Sequence, residues 1–152
     1  MFKKILKTLG GFILGLILLL VGGMIYAFIT TSNDKAEVTP YLKEKMPIVA
    51  TWKLEKFSPF LTDSAREVFE QERGQKILSA FSKLGEFKSF EEPQFIESKS
   101  GVSTEGGSYD IVIFSMVGHF ENDAAQIIVT LSRESNELLI QHIKVNSDVF
   151  LE

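Results

Sequence analysis

An α+β fold behind one membrane-spanning helix follows from three observations: an uncharged apolar N-terminal run, helical periodicity in the middle of the chain, and alternating segments in its second half. Phe2-Lys3-Lys4 and Lys7 precede a stretch from Thr8 to Asn33 without a charged side chain. At about 1.5 Å per residue, Leu9 to Ile29 spans a hydrocarbon core roughly 30 Å thick. A cleaved signal peptide has a shorter apolar region, about 7–15 residues, and here Phe28 and Ile29 crowd the small-residue positions of a cleavage site. The run therefore reads as an uncleaved anchor. Residues 1–8 form a basic N-terminus, 9–30 the transmembrane helix, 31–39 a linker and 40–152 one α+β domain. Lys3, Lys4 and Lys7 face a far flank of Asp34-Lys35-Ala36-Glu37. The positive-inside rule then places the N-terminus in the cytoplasm and the domain outside the cell (inner) membrane, in the periplasm or beyond. Gly11, Gly15 and Gly22 share one face of the span, where a second helix can approach closely.

All 20 acidic residues lie beyond the anchor with 13 of the 16 basic ones, giving that part a net charge of about −7. This balance argues against nucleic acid or an anionic membrane surface as a partner. The absence of cysteine excludes disulfides, a thiol nucleophile and cysteine-ligated zinc. About 120 residues remain for one compact domain, and thirteen phenylalanines, two of them in the anchor, can fill its core.

Thr39-Pro40 has the form of a helix start, and Leu42, Met46 and Val49 follow as one apolar stripe. Pro47 predicts a kink or two short helices ending near Trp52. Lys53 to Leu61 reads as a connector; its Phe57-Ser58-Pro59-Phe60, with Trp52, plugs the end of the core or offers an apolar edge to a partner. Thr62-Asp63-Ser64 opens a second helix of about 20 residues, with Ser64 and Glu67 at capping-box spacing and Gly85 as its stop. Strands follow: 86–90, then 94–100 after the break at Glu92-Pro93, then 109–121, 124–133 and 137–148. Turns at Asn122-Asp123 and Ser135-Asn136 connect the last three, making an antiparallel meander.

This order resembles the nuclear transport factor 2-like (cystatin-like) superfamily over Pro40 to Phe150. The residues carrying the likeness are Leu84-Gly85 closing the long helix, the hairpin Gly118-His119-Phe120-Glu121-Asn122-Asp123-Ala124-Ala125, and the final strand Ile143-Lys144-Val145-Asn146-Ser147. Two features depart from it: Asn122-Asp123 replaces the commoner Asn-Gly turn, and Leu138-Leu139 stands where the family often has tryptophan. The resemblance implies helices packed on a curved antiparallel sheet that encloses a cavity. In the superfamily's small isomerases and dehydratases, a cavity-facing Asp, His or Tyr does general acid–base work.

The candidate cavity residues are accordingly Tyr109, Asp110, His119 and His142. Counting from the turns sets His119 opposite Gln126 and His142 opposite Val129, so the histidines form no dyad and no catalytic set is assigned. His119 and Glu121 share a face at i, i+2 without a third ligand, so no metal site is assigned either. Gly101 to Ser108 nearly matches a phosphate-binding loop, but Gly107 replaces the required lysine and a strand follows, so it reads as a plain loop. No cofactor is implied. The expectation is a membrane-anchored protein-binding or scaffold module that meets another protein or a second copy of itself. Its plan is similar to that of the inner-membrane scaffold subunit of type IV secretion systems. A membrane-tethered ligand-binding or enzymatic domain is the alternative, and it requires a deep cavity lined by polar groups.

Overall fold

The computed structural model describes residues 2–104 and 106–150, with side-chain surroundings for all of these except 2–12 and 28–30. Two compact units form, residues 1–34 and 35–152. Helix α1, Phe2–Val49, contributes to both. In the first unit, α1 is the one helix among the described residues long and apolar enough to cross a membrane. Its side chains from Ile13 to Ala27 are all exposed, Leu19 by 78 % and Met24 by 73 %.

The second unit begins with the last turns of α1. Residues 31–39, expected as a linker with a helix start at Thr39-Pro40, are helical, and neither Pro40 nor Pro47 ends the helix. Val38, Leu42, Met46 and Val49 explain its persistence: all four are fully buried on one face. The carbonyls that the two prolines leave without an intrahelical donor belong to Ala36 and Lys43, both exposed to water. Trp52, with φ of 54°, reverses the chain. Its ring is buried against Phe81 (5.0 Å between centroids) and Phe120 (6.0 Å). The connector folds as a short helix α2, Leu54–Phe57, and a 3₁₀ turn, Ser58–Phe60.

The expected 20-residue helix is two helices, α3 (Asp63–Glu70) and α4 (Glu72–Phe81), broken where Gln71 takes an extended backbone. Thr62, not Ser64, caps α3, its hydroxyl accepting from the Ala65 N–H at 3.2 Å. Gly74 allows the break: a Cβ there would lie 2.2 Å from the Val68 carbonyl oxygen and 2.5 Å from the Phe69 Cα. The Gln75 side chain donates to the Phe69 carbonyl at 2.8 Å, satisfying a group that the break leaves open. A 3₁₀ turn follows at Ser82–Leu84, and Gly85, at φ of 82°, starts the sheet.

The sheet comprises β1 (Phe87–Phe90), β2 (Gln94–Val102), β3 (Ser108–Phe120), β4 (Ala124–Glu134) and β5 (Glu137–Asn146). All pairings are antiparallel, in the order β1-β3-β4-β5, and β2 continues along the edge of β3 that β1 begins. The sheet is open and not strongly curled, which corrects the expectation of a curved sheet around a cavity. One face carries Val112, Phe114 and Met116 of β3, Ile127, Val129 and Leu131 of β4, and Ile140, Ile143 and Val145 of β5. These join Leu42, Met46, Val49, Phe57, Phe69, Leu78 and Phe81 in a single core.

Candidate functional site

Register decides where the candidate residues lie. His119 pairs with Ala124 rather than Gln126, because the Phe120 N–H closes the turn on the Asp123 carbonyl at 3.0 Å. The turn is held by the Glu121 and Asn122 N–H groups, bound to the Glu86 and Leu84 carbonyls at 2.9 Å each. A shift of two residues keeps each side chain on its expected face. His142 pairs with Thr130 rather than Val129, because a bulge at Gln141 adds one residue to β5. The bulge lets Ile140 and Ile143, three residues apart, both enter the core.

Tyr109, His119 and His142 all lie on the sheet face away from the core, and they do not meet. Tyr109 is 44 % exposed and pairs across the strands with Gly101; a Cβ on that glycine would come within 2.8 Å of the tyrosine hydroxyl. His119 contacts Glu91 through Nε2 at 3.0 Å, both side chains about half exposed. Glu121, two residues on, accepts from the Glu86 N–H at 3.5 Å. Among the described residues, no three histidine or carboxylate side chains are grouped to hold a metal ion. Because β5 is an edge strand, His142 also borders, at that edge, an open groove of about 190 Å³ with Ser64, Val68, Phe69 and Ile77 of the helices.

Asp110 belongs to the core-side row, where it meets a group that the sequence reading missed. Arg133 donates to Asp110 at 3.3 and 3.4 Å, and through Nε and Nη2 to Glu37 of α1 at 3.1 and 2.8 Å. The fork ties the start of the second unit to the adjoining ends of β3 and β4. The signal was present: Arg133 continues the buried row of Val129 and Leu131, where a cation needs a partner.

Two other groups are perturbed. Burial, reinforced by the charge of Glu44, pushes the Tyr41 hydroxyl up to about 12, and that hydroxyl has no hydrogen-bond partner. Asp123 is held below the usual carboxylate range, chiefly by the Ser147 hydroxyl, then by the Ala124 N–H at 2.8 Å. The loop expected at 101–108 is shorter, since β2 runs to Val102. Ser103 and Gly107 close it by an N–H to carbonyl bond of 2.7 Å, and Glu105 lies outside the described residues. Within α1, a Cβ on Gly15 or Gly22 would meet nothing within 4 Å; the surroundings of Gly11 lie outside the described residues.

Comparison with protein-family models, with curated proteins and with solved structures finds no match for this chain.

Proposed function

We propose that the chain is a single-pass membrane protein with a cytoplasmic N-terminus, whose domain outside the membrane is a protein-binding or scaffold module of the nuclear transport factor 2-like, cystatin-like type. One observation carries the reading: the sheet face under the helices is filled by Phe57, Phe114, Leu42 and Met46, all at or near full burial, while Tyr109, His119 and His142 stand apart on the other face. A filled core and dispersed titratable groups suit a surface that docks a protein better than one that turns over a ligand. The exposed apolar side chains of α1 support the anchor, and the lysines before it support the orientation. Self-association through Gly11, Gly15 and Gly22 is the membrane part of the same proposal.

The test uses the absence of cysteine. In intact cells, a membrane-impermeant maleimide should label Lys88→Cys and spare Lys4→Cys; the reverse pattern would sink the orientation. Photo-crosslinking residues at Ile113 and Ile128 should yield a discrete protein adduct. Absence of any adduct, together with a metabolite that raises the melting temperature, would favour the ligand-binding alternative.

A further inference from the structure

β2 is an edge strand: it pairs with β3 on one side, and among the described residues no strand pairs with its other side. Beyond the irregularity at Ile96, the pairing is regular from Glu97 opposite Ile113 to Val102 opposite Ser108. Regular antiparallel pairing fixes where the backbone groups point. The Ser103 N–H donates to the Gly107 carbonyl at 2.7 Å, one step further along the same register, so Ser103 faces the β3 side. By alternation Glu97, Lys99 and Gly101 face β3 as well, while Ser98, Ser100 and Val102 turn their N–H and carbonyl groups to the open edge.

That edge is also clear of the helices. Ser98 and Ser100 lie on the sheet face that the helices cover, opposite Val112 and Asp110, yet both are exposed. A row of open backbone donors and acceptors is a template for another strand, and the side chains of the opposite face select which one. Glu97 and Lys99 stand two residues apart on that face, joined at 2.8 Å. Let a second β2 lie antiparallel with the two Ser98 residues opposite each other. Each Glu97 then faces the Lys99 of the other copy, and four charges of alternating sign form one cluster. An axis at Lys99 would set the two lysines against each other, and one at Ser100 would set each lysine against Gly101. The Ser98 axis also brings outward-facing residues together, as the backbone bonds require.

We propose that two copies of the chain join along β2, antiparallel about Ser98, so that their two sheets run on as one. The proposal rests on the protein-docking reading above and deepens it, naming a second copy as the partner and the β2 edge as the surface. A two-fold contact of this kind closes on itself, because each copy spends its one β2 edge on the other.

The experiment uses the full chain in a mild detergent, oxidised with copper phenanthroline and read on a non-reducing gel. Across the axis the two Ser98 Cα atoms would stand about 5.5 Å apart, within the span of a disulfide, and the two Ser100 Cα atoms roughly 14 Å apart. Ser98→Cys should therefore give a disulfide-linked dimer, and Ser100→Cys should not. Adding Glu97→Lys or Lys99→Glu to Ser98→Cys should suppress the dimer, because each sets like charges opposite one another; adding both should restore it. Urea unfolding followed by the buried Trp52 separates a lost contact from a lost fold in these surface variants. Three results would overturn the proposal. Folded Ser98→Cys could give no dimer. Ser100→Cys could give as much dimer as Ser98→Cys, the mark of random collision or another register. The dimer could persist through either single charge reversal. In each case, adducts from the photo-crosslinking positions Ile113 and Ile128 would leave the protein-docking reading standing on another surface. Their absence, with a stabilising metabolite, would overturn that reading too.

Discussion

Gly74→Ala separates what helix propensity expects from what packing dictates. In a helix interior, replacing glycine by alanine gains about 1 kcal/mol, because the unfolded chain loses freedom and the helix backbone is better shielded. At this position, the new Cβ would meet the Val68 oxygen at 2.2 Å, the Phe69 Cα at 2.5 Å and the Phe69 carbonyl carbon at 2.8 Å. All three are backbone atoms of α3, so no side chain can swing aside. Overpacking of this kind costs about 1–3 kcal/mol, and a backbone obstacle puts it at the upper end. The net expectation is a loss of about 2 kcal/mol, opposite in sign to propensity. The exposed control Ser79→Ala, in the same helix, should be slightly stabilising. Urea unfolding of the full chain in a mild detergent can follow the single tryptophan, Trp52, which lies in the core at 5 % exposure. An unchanged or raised midpoint for Gly74→Ala would refute the packing argument and the account of the break at Gln71.

Thr62→Ala removes the cap of α3 and should lower stability by about 1 kcal/mol in the same assay, with Thr62→Ser recovering most of it. Because Asp123 ionises more readily when folded, its contribution is complete above about pH 4 and disappears as pH falls through its lowered value. Unfolding midpoints between pH 7 and pH 3 should therefore fall less steeply for Asp123→Asn than for the parent. Tyr41 has the opposite sense: folded, it stays neutral to about 12, whereas unfolded it ionises near 10, so stability declines as pH rises between these values. Tyr41→Phe should remove that alkaline slope, and at pH 7 it should be neutral or stabilising, since the buried hydroxyl has no partner to lose.

The strands were legible because alternation is a local signal that burial enforces residue by residue. The turn at Ser135-Asn136 was legible for a similar reason: both residues adopt positive φ, which asparagine tolerates. The ends of the helices were not. Pro47 marks a local cost, but the stripe from Val38 to Val49 draws its stability from a sheet made by distant sequence. The break at Gln71 likewise depends on the absent Cβ of Gly74 against α3, a contact that periodicity cannot express. Register near the candidate residues was set by long-range bonds, those from Glu121 and Asn122 to the segment before β1, and by the bulge at Gln141. Counting outward from the turns therefore misplaced the partners of His119 and His142. The alternation of β3 separates Tyr109 and His119 from Asp110, but which of the two faces meets the core is decided by the packed helices, so all three stood together as cavity candidates. The pairing of Asp110 with Arg133 became visible only once the ends of α1, β3 and β4 were together.

The bond between Glu37 and Arg133 joins residues 96 positions apart. Ribosomes extend a chain at roughly 5–20 residues per second, so Glu37 waits about 5–20 s for its partner to be made. Throughout that interval Val38, Leu42, Met46 and Val49 have no sheet to cover them, because α1 is synthesised before every strand of the sheet. The apolar stripe in the last turns of α1 is thus a transient liability during biosynthesis. It stays uncovered until β4 is complete.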